Sequence, residues 1–233
     1  MTTQPRPPSK VLQGMAIALM ALTVAFTLLG GAGTSCVAFA AEKFGSMAVL
    51  APYKWLYGLF VVVSLAAGLA GIPATAGLVR GRPNAYRNAL IVLLVGALSA
   101  GVQMAVSEAL RGKSAPVNVR FYVSAFTLAV FLLLRLPPVW PRVDFLQRAQ
   151  GGAGGQAAAA ATALLVSGLL TLTTPYWAGP SHTMGGENLV YVLGLPLALA
   201  GWALTLGGVA TLALAVGQGR RAARRLAQTA LKA

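Results

Sequence analysis

The stretch WLYGLFVVVSLAAGLAGIPATAGLV, residues 55–79, contains no Asp, Glu, Lys, Arg or His between Lys54 and Arg80. An uncharged run of 18 or more mostly apolar residues is long enough to cross a hydrocarbon layer of roughly 30 Å. It lacks the period-2 alternation that a lipid-facing strand of a barrel needs. A backbone in lipid must satisfy its amides within the segment, so the run reads as a helix.

Five further runs share this character, at residues 11–37, 88–110, 121–136, 157–177 and 191–216. The shortest, 121–136, spans if Arg135 reaches back to the interface. Apolar residues make up 57% of the chain and charged ones 9%, with a mean hydropathy of +0.74. A soluble domain carries about 25% charged residues. So few charges cannot coat this much apolar side chain in water. The expected fold is therefore all-α, a polytopic transmembrane helical bundle of six spans. Residues 1–233 form one integral membrane domain, with a flexible Gly-rich link at 149–156 and a basic tail at 217–233.

A net charge of +14 invites a nucleic-acid reading, but the placement of the charges argues against it. Thirteen of the 18 Lys and Arg fall at the N-terminus, in the second and fourth connections and at the C-terminus. The remaining five are Lys43, Lys54, Arg111, Lys113 and Arg120. Basic residues accumulate on the cytoplasmic side, so both termini are expected there. Alanine-, glycine- and arginine-rich usage points to a bacterial inner membrane. A competing reading of the first run is a signal peptide cleaved after Ala40, at the small-residue pattern Ala38–Ala41. The apolar run is longer than a signal sequence needs, which favours a retained helix.

Proline and glycine punctuate the spans. Pro73 and Pro196 each remove a helical hydrogen bond and are expected to kink their helices. Ala67, Gly68 and Gly71, and likewise Gly201, Gly207 and Gly208, should let neighbouring helices approach closely. Trp140, Val143 and Leu146 fall on one face of a short interfacial helix in the fourth connection.

Little chemistry is legible. The single cysteine, Cys36, excludes an internal disulfide and a thiolate metal cage. No acid, base or histidine lies near the centre of any predicted span, which argues against proton-driven transport. Gln103 and the Ser and Thr residues of the spans read as glue between helices. Glu42, Glu108, His182 and Glu187 fall in the outward connections or at their edges. A histidine with carboxylates can hold a metal or divide acid and base roles, although no metal-ligand spacing is present and the metal is unknown. His182, in "GPSHTMGG", otherwise reads as a solvated turn residue. Glu108 and Arg111 are three apart and are expected to pair, while the Arg111–Lys113 end can also meet an anionic headgroup. On the inner face, Arg80, Arg82 and Arg87, with Arg221, Arg224 and Arg225 of the tail, are candidate contacts for anions or acidic lipid.

Three functions compete. The first is a non-catalytic subunit or accessory protein packed against partner membrane proteins; the second, a permease for an uncharged or weakly polar solute. The third is a membrane-embedded enzyme or metal site at the outer surface. The first is the leading expectation, with the bilayer and anionic headgroups as partners, no nucleic acid and no cofactor.

Overall fold

A computed structural model of the chain describes residues 9–43, 45–143, 145–146, 153–177, 183–184 and 187–230. The described residues are nearly all helical (88%). Helix α1 (Lys10–Ala40) is capped by Ser9, whose hydroxyl accepts from the Leu12 amide at 3.4 Å. Two 3-10 segments, Ala41–Lys43 and Gly45–Tyr53, lead into α2 (Lys54–Arg80). Helices α3 (Ala85–Arg111) and α4 (Val117–Leu134) follow. Gly81 and Gly112 end α2 and α3 in the left-handed region, at φ 66° and 63°, where a side chain would be strained.

After a 3-10 turn at Trp140–Arg142 come α5 (Ala153–Leu172) and the single turn α6 (Thr174–Trp177). Strands β1 (Thr183–Met184) and β2 (Glu187–Asn188) form a small antiparallel pair, Thr183 opposite Asn188 and Met184 opposite Glu187. The short α7 (Leu189–Val192) and the long α8 (Gly194–Ala230) complete the chain.

Five helical segments are long and apolar enough to cross a membrane: Lys10–Lys43, Met47–Arg80, Ala85–Arg111, Val117–Leu134 and Gly194–Gln218. The apolar part of α5, Ala157–Leu172, is shorter. Large apolar side chains such as Trp55, Val62, Leu98, Phe126, Trp202 and Leu206 point outward around the bundle. A water-soluble monomer rarely exposes so much contiguous apolar surface.

Small residues set the helix spacing. The buried face of α2 runs Ser64, Ala67, Gly68, Gly71, Ala74, Gly77, which is the three-and-four repeat of one helical stripe. A β-carbon added at Gly68 would sit 2.6 Å from the Leu28 side chain of α1, and one at Gly71 would strike Val24. Gly201 and Gly208 of α8 are pressed in the same way onto Leu172 and Leu165 of α5. Gly207 faces open space, so it plays no part in that contact. Across α1 and α4 the hydroxyls of Thr23 and Thr127 bond at 2.7 Å, and Thr23 also donates to the Leu19 carbonyl.

Two local expectations are corrected. Pro196 lies in the first turn of α8, where the missing amide proton would have had no helical partner, so it opens the helix instead of kinking it. Helix α2 runs on through Pro73 without a break, which leaves the expected kink there untouched. The fourth connection forms no interfacial helix among its described residues, because Val143 and Phe145 turn inward. They bury against Tyr86, Phe131 and Trp140, gaining more from the aromatic core than from a membrane surface.

Candidate functional site

Of the four candidate residues of the outer surface, the three described ones, Glu42, Glu108 and Glu187, are not gathered into a metal site. Glu42 lies in the 3-10 turn after α1 and pairs with Lys54 Nζ at 2.5 Å, both partly solvated. Glu108 is exposed on the last turn of α3, and Glu187 is exposed on β2. His182 lies outside the described residues. Among the described residues, no three of the His, Cys, Asp and Glu side chains gather where they could hold a metal. Arg80, Arg82 and Arg87 are exposed around the α2–α3 turn. Arg221, Arg224 and Arg225 belong to α8, but their side chains lie outside the described residues.

A different site is present. Helices α1 to α4 alternate in direction, so the end of α1, the start of α2, the end of α3 and the start of α4 share one end of the bundle. They enclose a cleft of 350 Å³ there. Its polar side chains come from all four helices: Thr34 of α1, Tyr57 of α2, Gln103, Ser107 and Arg111 of α3, and Arg120 of α4. Apolar walls are supplied by residues such as Phe26, Leu29, Val37, Met47 and Val119.

Arg120 organises the cleft. Counted by sequence with an outward connection, it instead occupies the first turn of α4 and is only 4% exposed. The chain after Gly112 bends back so that Phe121 packs beside Gly101, well short of the end of α3. This draws the first turn of α4 into the bundle. The guanidinium donates to Ser64 Oγ at 2.6 Å and to Gln103 Oε1 at 2.7 Å. Ser64 lies ten residues into α2, about 15 Å along its axis. Gln103 in turn donates to Thr34 Oγ1 at 3.2 Å, and Thr34 donates to the Gly30 carbonyl at 2.7 Å. Gly30 is needed beneath the arginine, since a β-carbon there would come within 2.8 Å of Arg120 Cδ.

This is a cation held by neutral partners. Taking a charge out of water costs several kcal/mol unless an opposite charge and full hydrogen bonding offset it. Two neutral acceptors leave Arg120 Nε without a partner among the described residues. Arg111 repeats the theme at the mouth. It makes no ion pair with Glu108, contrary to expectation, but turns its terminal nitrogens toward the Ala115 carbonyl at 3.4 Å, with Nε buried and unpaired. The pairing fails because Gly112 reverses the chain and brings that carbonyl within reach. Tyr57 and Ser107 close this end by a hydroxyl–hydroxyl bond of 2.8 Å.

The cleft has the donors and the apolar walls of a binding site. Its hydroxyls face no carboxylate or imidazole among the described lining residues, so no general base is at hand. A sign of this site was present in the sequence. Arg120, Ser124 and Thr127 are spaced four and three apart on α4, and Thr23, Thr27 and Thr34 share one face of α1. Gln103 and Ser107 repeat the spacing on α3. Polar stripes on three apolar helices must face one another.

Comparison with protein-family models, with curated proteins and with solved structures finds no match to this chain.

Proposed function

We propose that this chain is a multi-pass membrane protein that binds a small molecule inside the bilayer, in the cleft between α1, α2, α3 and α4. The observation that carries the reading is Arg120, a buried cation fed into a cleft with Gln103, Tyr57 and Ser107 beside it. A charged group within a membrane helix is costly, and it typically marks a pathway or ligand site. The accessory-subunit reading leaned on spans free of such a group, and Arg120 shifts the weight to ligand binding, of which a permease is the transporting form.

In this reading α1 to α4, α5 and α8 are six spans, α5 being completed at its ends by less apolar residues. Both termini face the cytoplasm of a bacterial inner membrane. Support comes from the Lys and Arg distribution and from the packing of α5, which starts beside Lys10 of α1 while α8 runs back along it. The cleft then opens toward the outer half of the membrane. The basic tail of α8 lies at the inner face, where each Lys or Arg near anionic lipid contributes about 1 kcal/mol.

Gly33 offers a clean test. It lines the cleft, and an added β-carbon there meets nothing within 4 Å, so Gly33→Phe fills the space without disturbing the packing. An uncharged alkyl diazirine probe should label cleft residues such as Phe26 and Val119 in the parent, located by peptide mass spectrometry. Labelling there should fall sharply in Gly33→Phe while the lipid-facing Trp202 region stays labelled. Equal labelling of the cleft in both proteins would overturn the reading.

A further inference from the structure

We infer that the cleft is built for an amphiphilic anion, a carboxylate or phosphate head on an apolar tail, with Arg120 and Arg111 as its cationic donors. The inference rests on the ligand-binding reading above and adds the charge and shape of the ligand.

The charges of the lining argue for it first. Two guanidiniums enter the cleft, and no carboxylate lines it among the described residues. The ion pair at this end, Lys54 with Glu42, involves neither arginine. Each guanidinium carries five donors and no acceptor, and it stays charged in proteins. Arg120 places only two donors, on neutral oxygens, and both Nε groups are buried without a partner. What the site lacks is an acceptor-only group of negative charge. Arg111 makes the same point by what it declines. Glu108 is one turn away on the same helix, yet the arginine turns toward the cleft.

Backbone electrostatics point the same way. Pro116 gives α4 no side-chain cap, and Pro116 and Val117 both line the cleft. The Asn118 and Val119 amides of this first turn are already taken up by the Ser114 and Pro116 carbonyls and by Asn118 Oδ1. The helix therefore adds its dipole, and no free amide donor from these two residues, to the space beside Arg120.

Shape supplies the rest. At 350 Å³ the cleft is near the lower end of small-molecule sites, which run from about 300 to 1,000 Å³. A small head with a short chain fits; an entire two-chain lipid does not. Leu29, which lines the cleft, is also 70% exposed on the outside of α1. The mouth is thus continuous with the apolar surface of the bundle, and a tail can leave sideways past Leu29 and Phe26. The same head chemistry is offered by a free amphiphile and by an acidic phospholipid whose tails remain in the membrane.

The test uses the full chain in phosphatidylcholine nanodiscs, following its thermal unfolding midpoint. Decanoate and decyl phosphate are the free anionic probes, decanol the uncharged one, and discs doped with phosphatidylglycerol provide the lipid arm. Free anions should raise the midpoint saturably where decanol does not. Arg111→Gln, which removes a partly exposed residue and leaves Arg120 in place, should weaken the apparent affinity by about tenfold or more. Arg120→Gln should abolish the shift. If only phosphatidylglycerol raises the midpoint and copurifies, and Arg111→Gln loses that effect, the anion is a lipid headgroup and the inference holds. If decanol acts as well as decanoate and Arg111→Gln is indifferent, the occupant is uncharged: the inference falls and the ligand cleft stands. If no anion acts while the diazirine probe still labels the cleft, the inference alone falls. With neither anion effect nor cleft labelling, both fall.

Discussion

Helix α4 has an arginine near each end, and the two are treated in opposite ways. Arg135, at the C-terminal cap, lies exposed with its guanidinium 4.5 Å from the Trp140 ring centroid and 6.0 Å from that of Tyr86. Around it Tyr86, Phe131, Trp140 and Phe145 pack ring against ring, and the Tyr86 hydroxyl donates to the Phe131 carbonyl. Arg120, in the first turn, meets only a hydroxyl and an amide oxygen, and it is buried beside open volume. At the Arg135 end no buried side-chain polar atom lacks a partner among the described residues, and the rings pack together; this end holds the helices together. At the Arg120 end polar groups are in surplus and space is left. Under the proposed reading, the contrast makes the Arg135 end the structural one and the Arg120 end the candidate for binding.

The contrast predicts which changes unfold the protein and which merely disable it. The largest loss should come from Phe131→Ala. Phe131 is fully buried in the aromatic core, and its truncation should cost about 3–5 kcal/mol, read as a lowered unfolding midpoint in detergent. Arg120→Met should cost less than half of that, about 1–2 kcal/mol. It leaves Ser64 and Gln103 short of a donor but also removes a buried cation of similar volume. A loss as large as that of Phe131→Ala would mean that Arg120 is structural, and the distinction between the two ends would break.

The two ends also differ in how far the sequence disclosed them. The helices themselves were legible because lipid demands long uncharged runs, and those runs end at visible signals such as Arg80–Gly81 and Arg111–Gly112. The tight α1–α2 contact was legible from Gly68 and Gly71, since a stripe of small residues has few other uses inside an apolar helix. The cleft was not. A window of hydropathy assigns Arg120 to water, because nothing local reveals that the chain bends back at Gly112 and starts α4 inside the bundle. Depth is a tertiary property, set by where Phe121 finds Gly101. The three described outer acids are not gathered for a related reason: sharing a side of a membrane is a weak constraint, and Glu42 takes its partner, Lys54, from the start of α2. The hydroxyls of Thr34, Ser64 and Ser107, set aside as helix glue, do bridge helices, but Ser64 also holds Arg120, and Thr34 and Ser107 line the space beside it.

Smaller changes sharpen the account of the aromatic end. Tyr86→Phe removes the hydroxyl that reaches the Phe131 carbonyl and leaves the ring stack intact. The expected loss is about 1 kcal/mol, the net worth of one such bond, again from the unfolding midpoint.

Arg135→Gln should have the smallest effect, about 0.5–1 kcal/mol, the range for a cation over an aromatic face at an exposed site. Its direction matters more than its size. Gln keeps polarity but is shorter and lacks the charge that the Trp140 and Tyr86 rings attract, so stability should fall slightly while binding in the distant cleft is unchanged. Lys at this position should recover part of the loss, because an ammonium is still drawn to the ring face but cannot lie flat on it. Arg120→Lys should behave otherwise. Folding should be kept, yet binding should fail to recover, since a single ammonium cannot reach both Ser64 and Gln103 and still present donors to a ligand. If lysine were equally acceptable at both positions, both arginines would be serving as plain charges, and the geometry that separates the two ends of α4 would carry no function.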